Sequence, residues 1–150
     1  MNIAELFSTS ATSGAVPLYA VSHAMLESAL TGPLERHAKW LRAAGFTAAA
    51  GKVQLLPGGD GAVAGAVLGL GGDEDVLATA AFPSLLPPGT YVYALAPQAH
   101  DSNKLALAWA MGAYAFTRFK ASERTALRQA LVWPDGSDRS NVLRVASGLF

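Results

Sequence analysis

The chain has 150 residues, with eleven basic side chains cancelling eleven acidic ones, and 51% of it is hydrophobic against only 15% charged. That balance excludes a disordered chain, and without a basic stripe neither nucleic acid nor a membrane surface has an electrostatic footprint to grip. Cysteine is absent, which rules out disulfides, thiolate chemistry and cysteine-ligated zinc and is consistent with a cytoplasmic setting.

Residues 1–15, rich in Ser and Thr, are read as a flexible leader, with Ile3, Leu6 and Phe7 available for a short contact. They lack the basic-then-apolar order of a signal peptide. Val16 to Ser22 is a strand opened by Pro17, which suits a first residue or an edge. His23 to Leu30 is a short helix, broken by Thr31-Gly32-Pro33. Leu34 to Ala44 is a second helix with Leu34, Ala38 and Leu41 as its apolar stripe and Trp40 flanking it. Glu35 and Lys39 are spaced as an i,i+4 pair, and Gly45 sits where a C-cap glycine belongs.

Lys52 to Leu56 is a strand, Pro57 to Gly61 a hairpin-type turn, and Ala62 to Leu70 a strand with no polar alternation, expected to be buried on both faces. Its Gly65 and Gly69 point to a bulge or a close backbone approach. Gly71 to Asp75 is a loop, Val76 to Phe82 a short helix, and Pro83 to Gly89 a proline-rich connection. Thr90 to Ala94 is a strand placing Tyr91 and Tyr93 on one face and Val92 on the other. Pro97 to Asn103 leads to the stretch that organises the rest.

That stretch is Leu105 to Lys120, with no proline, one glycine and no charge before Arg118. Ala, Leu and Met favour a helix, and Asp101 or Ser102 can cap it. Leu105, Trp109, Gly112, Phe116 and Phe119 share one face, yet the other faces are Ala, Leu107, Met111 and Tyr114. A helix apolar nearly all round is buried on more than one side. It is still shorter than the ~20 residues a membrane span needs. Beyond it, Ala121 to Ala130 is a partly helical connection and Leu131 to Trp133 a last strand stopped by Pro134. After the Asp135-Gly136 turn, Ser137 or Asp138 caps a final helix to Phe150. Its Val142, Val145, Ala146 and Leu149 share a face that stops mid-pattern, as the front part of a longer chain would. Strands alternating with helices around one hairpin predict an α/β domain over residues 16–150, its mixed sheet flanked by helices on both faces.

Candidate chemistry is sparse. His23, His37 and His100 have no metal-binding spacing. His100 beside Asp101 has the makings of a dyad, but Asp101 has a simpler role as a cap. The acidic run Asp73-Glu74-Asp75 lacks the spacing of a calcium loop. The glycine-rich turns Pro57 to Gly61 and Gly69 to Gly72 have backbone N–H groups that could cradle phosphate, but neither matches a dinucleotide or P-loop pattern. The residues assign no catalytic, cofactor-binding or metal-binding position.

Ala108-Trp109-Ala110-Met111-Gly112-Ala113-Tyr114-Ala115-Phe116-Thr117-Arg118-Phe119-Lys120 resembles the helix near the end of the N-terminal domain of leucyl (cytosol) aminopeptidases. Leu131-Val132-Trp133-Pro134 with Asp135-Gly136-Ser137-Asp138-Arg139 is similar to the strand and helix start that follow in bacterial members, and the Lys52 to Gly72 hairpin with Leu55-Leu56-Pro57 resembles the same branch. The resemblance implies a macro-domain-like α/β fold and a noncatalytic domain concerned with oligomer assembly and active-site access. It also implies a catalytic C-terminal domain, absent here, that uses two divalent metals (zinc or manganese) to release N-terminal amino acids. Hexamers are the family's usual assembly. The family's Asn-Thr-Asp-Ala-Glu-Gly-Arg signature does not occur in this chain, so no catalytic residue carries over and no cofactor is expected in this segment. The alternative is a stand-alone macro-like domain that binds a nucleotide phosphate at Gly69 to Gly72.

Overall fold

In the computed structural model, the structure describes residues 7–8, 15–58, 63–72, 79–80, 82–86, 89–97, 102–120, 129–134 and 138–149, with the side chains of 8, 84–85, 114–120, 129 and 147–149 left aside. Six strands form one sheet: β1 (Phe7–Ser8), β2 (Val16–Val21), β3 (Val53–Pro57), β4 (Val63–Gly69), β5 (Gly89–Leu95) and β6 (Gln129–Val132). They lie in the order β1-β6-β5-β2-β4-β3. Only the β3–β4 hairpin is antiparallel; every other pair is parallel. The mixed α/β sheet read from the residues is therefore present. Within the stretch read as a leader, Phe7–Ser8 pairs with β6, and the Phe7 ring stacks on Trp133 at 4.0 Å between centroids.

Period-two alternation divides the core in two. Leu18 and Ala20 of β2, Ala66 and Leu68 of β4, Tyr91 of β5 and Leu131 of β6 face one cluster. Val21, Val67 and Leu56 face the other. Ala66, Val67 and Leu68 are fully buried, so β4 is covered on both faces, as its unbroken apolar run predicts. Helices close both sides. Helices α1 (Leu26–Thr31) and α2 (Ala38–Ala43) cover the second cluster. Helices α3 (Phe82–Leu85), α4 (Ser102–Lys120) and α5 (Arg139–Leu149) lie on the first side, each giving it at least one buried residue.

Local chemistry explains the helix ends. After α2, the Gly45 N–H donates to the Arg42 carbonyl (3.1 Å) and the Phe46 N–H to the Leu41 carbonyl (3.0 Å). This is the Schellman pattern, made possible by glycine at φ +75°. Asp138 caps α5, its Oδ1 accepting the Asn141 N–H at 3.1 Å.

Several expectations shift. Strand β2 is interior, between β5 and β4, so Pro17 marks no edge; it is tolerated as the second residue of its strand. The first helix starts at Leu26, three residues late, because His23–Met25 forms a turn closed by the Met25 N–H on Ser22 Oγ (3.3 Å). Glu35–His37 is a 3₁₀ turn. Its tighter winding removes the i,i+4 register, and in place of a Glu35–Lys39 pair Arg42 reaches Glu27 at 3.9 Å, both exposed. The expected helix at Val76–Phe82 falls mostly outside the described residues. The helix present is Phe82–Leu85, with Pro83 in the first turn, where its missing N–H costs nothing. The connection at 121–128 also lies outside the described residues, and β6 begins at Gln129, two residues early, ending before Trp133.

Helix α4 is the centre of the first cluster. Its 19 residues make a rod of about 28 Å. Trp109, Ala106, Ala110 and Ala113 are fully buried. Trp109 lies 6.1 Å from the Tyr91 ring of the sheet. Gly112 allows a second close contact: a Cβ there would run into the Ala80 carbonyl, whose carbon lies 2.8 Å from it. The helix thus touches the sheet on one side and the segment before α3 on another. Among the described residues, no helix is long and apolar enough to cross a membrane.

Removing the Trp109 ring should create a large cavity. Trp109→Ala is expected to cost about 3–5 kcal/mol in urea denaturation; a loss under ~0.5 kcal/mol would mean that the indole is not core.

Candidate functional site

Parallel strands β2, β4, β5 and β6 all end on the same side of the sheet, and open α/β sheets place ligands outside those carboxyl ends. A cleft of about 350 Å³ lies there, lined by Val92–Ala96 of β5 and its exit, Ser102 and Leu105 of α4, and Val132–Pro134 at the end of β6. A β-bulge shapes its wall. The register moves from Leu18↔Tyr93 to Tyr19↔Leu95, so Ala94 is the extra residue. It turns Leu95 from the face of Tyr93 to the second core cluster. A smaller cleft of about 220 Å³, lined by Ala24, Met25, Ser28, Ala29, Pro33 and Leu95, lies at the exit of β5 beside α1.

The polar groups nearby are committed to structure. Asn103 Oδ1 accepts the Asp138 N–H at 2.7 Å, tying the start of α4 to the start of α5. Asn141 Oδ1 accepts from Arg144 Nη2 at 2.6 Å. Arg139 lies 5.8 Å from the Trp133 ring, a cation–π contact. The titratable side chain lining the larger cleft is Tyr93, whose hydroxyl is buried without a well-formed hydrogen bond. Burial pushes its phenol up, and the Thr79 side chain offsets only part of that. Burial likewise pushes Tyr91 up to about 12. Neither exchanges a proton near neutral pH, so neither phenol is suited to act as a general acid or base there.

The sequence candidates are now placed. The Gly69 to Gly72 loop lies at the carboxyl end, but three of its N–H groups are occupied. Gly69 donates to the Lys52 carbonyl (2.8 Å), Leu70 to Val21 (2.9 Å) and Gly71 to Ala48 (2.9 Å). Donors spent on the fold in this way are lost to a phosphate, which needs several convergent N–H groups. The close approach expected at Gly69 is present: a Cβ there would collide with the Ala49 carbonyl and lie 2.6 Å from the Ala48 carbonyl carbon. His23 is exposed on the turn after β2, its N–H donating to the Gly71 carbonyl at 3.0 Å. His37 is half-buried in the 3₁₀ turn. His100, Asp101, Asp73-Glu74-Asp75 and most of the Pro57 to Gly61 turn lie outside the described residues. Among the described residues, no three His, Asp or Glu side chains gather as a metal site would need.

A sequence-family model described as the M17 aminopeptidase N-terminal domain matches residues 16–134. This chain belongs to that family. As an M17 N-terminal domain, it also has a solved structural counterpart: the cytosol aminopeptidase from Coxiella burnetii superposes with a TM-score of 0.78 over 96% of this chain, at 22% identity. At that identity the likeness speaks for the fold. The M17 domain spans 31% of that aminopeptidase's length. Comparison with curated proteins found no match. The divalent metals associated with M17 enzymes find no ligand set among the described residues of this domain.

The buried phenols make stability depend on alkaline pH. An unfolded tyrosine ionises near 10, whereas the folded protein keeps the Tyr91 proton to about 12. The contribution is intact below pH ~10 and lost as pH rises toward the folded value. Tyr93→Phe, which removes a buried hydroxyl lacking a good partner, is expected to leave stability at pH 8 unchanged or higher. It should also flatten the decline above pH ~10. Urea titrations at pH 8 and 10.5 check both.

Proposed function

We propose that this chain is the noncatalytic N-terminal domain of a leucyl aminopeptidase-like metallo-exopeptidase. The observation that carries this reading is the family match over residues 16–134. One other supports it: the chain spans 31% of an aminopeptidase of similar fold. In the parent protein, a separate C-terminal domain carries two divalent metals, zinc or manganese. Bound there, the metals would supply an activated water for hydrolysis of the first peptide bond. The present domain packs with that partner in a cytoplasmic homo-oligomer, a hexamer as in the wider family, and shapes access to the active site. The second reading, a phosphate-binding macro-like domain, is disfavoured by the spent N–H groups of Gly69, Leu70 and Gly71.

One set of assays separates these readings. The 150-residue protein is expected to give no turnover of leucine p-nitroanilide with zinc or manganese above a metal-only blank, and no saturable thermal shift with ADP-ribose or inorganic phosphate. Turnover would place chemistry inside this segment and overturn the proposal. A saturable shift of several degrees would favour the ligand-binding reading instead.

A further inference from the structure

Strand β3 is one edge of the sheet, and an uncovered edge is a template for pairing with another chain. The Lys52 carbonyl accepts the Gly69 N–H at 2.8 Å, so in this antiparallel pair Lys52, Gln54 and Leu56 turn their backbone groups toward β4. Alternation turns Val53, Leu55 and Pro57 outward. Two of these outward positions are blunted. Pro57 has no N–H to offer. The Leu55 carbonyl accepts the Trp40 Nε1–H at 3.2 Å and the Gln54 Nε2–H at 3.2 Å. Trp40 and Leu55 are the two large apolar side chains left exposed among the described residues, at 45% and 36%. Trp40 is thus a ring that helix α2 leaves half in water, with its polar end spent on a strand edge fifteen residues away.

We propose that Trp40 is an edge guard: by closing the outward carbonyl of Leu55, the indole keeps β3 from pairing antiparallel with the β3 of a second copy of this chain. Antiparallel pairing needs outward N–H and C=O groups in alternating register on both strands. With the Leu55 carbonyl filled and Pro57 lacking a donor, the Val-Gln-Leu-Leu-Pro edge presents a broken register, in which only Val53 keeps both its N–H and its carbonyl for a partner. The guard also explains why a tryptophan is spent on an exposed helix position, since phenylalanine would cover the same surface but could not donate.

The test compares wild type, Trp40→Phe and the double variant Trp40→Phe/Leu55→Lys by sedimentation velocity across a hundred-fold range of concentration. The phenylalanine variant should show a weight-average mass rising to about twice that of wild type at the upper concentrations, a dimeric increment through the opened edge. Adding a lysine on the edge strand should bring the mass back to the wild-type value. Near-UV circular dichroism confirms folding in each case. A Trp40→Phe protein that sediments like wild type, or a double variant that associates as strongly as the single one, overturns the proposal. So does a Trp40→Phe protein that fails to fold, because the indole would then be a core element and not a guard.

Discussion

The structure depends on how closely helix α4 approaches its neighbours. Its buried positions are small: Ala106, Ala108, Ala110 and Ala113 are all nearly or wholly hidden, and at Gly112 there is no room for a β-carbon beside the Ala80 carbonyl. Small residues let the helix lie close to the sheet, and Trp109 then fills the remaining space against Tyr91. Interiors packed near crystalline density do not tolerate voids of this size. Once α4 is seated, Phe82 of α3 meets Tyr93 edge-on at 6.0 Å, and Val142 and Ala146 of α5 join the same cluster. The other face of the sheet is a separate cluster under α1 and α2, and β2 and β4 belong to both.

Features encoded within a few residues were legible. The unbroken apolar run of β4, the glycine that ends α2, the aspartate that caps α5 and the pairing of Tyr91 with Tyr93 on one face follow from local pattern and capping chemistry. Features set by distant partners were not. Pro17 lies in an interior strand because β5 and β4 take the places on either side of β2, and no local signal shows that. Ala94 bulges because the end of β5 must meet β2 out of step. Trp40 reaches a strand edge that becomes a neighbour only on folding. The Gly69 to Gly72 loop is the instructive case. Its composition suggests free backbone donors, but three of them are occupied by the carbonyls of Lys52, Val21 and Ala48, which sequence spacing alone does not bring near.

The same distinction bears on function. The carboxyl end of the sheet has the clefts at which α/β folds commonly bind ligands. Here, however, their walls are mainly apolar, their phenol is held neutral, and the polar residues between α4 and α5 are tied to one another. The outer strands agree with an orderly surface: β1 is two residues long, and β3 is blunted by Trp40, Gln54 and Pro57.

Native-state hydrogen exchange of the α4 amides from Leu105 to Ala113 tests the central claim most directly. If the helix is the element on which the core is seated, those amides exchange only when the whole domain unfolds, and their protection free energies equal the global stability from denaturant titration. If they exchange through a local opening several kcal/mol below that limit while the strands remain protected, α4 is a peripheral cover and the account of the fold is wrong.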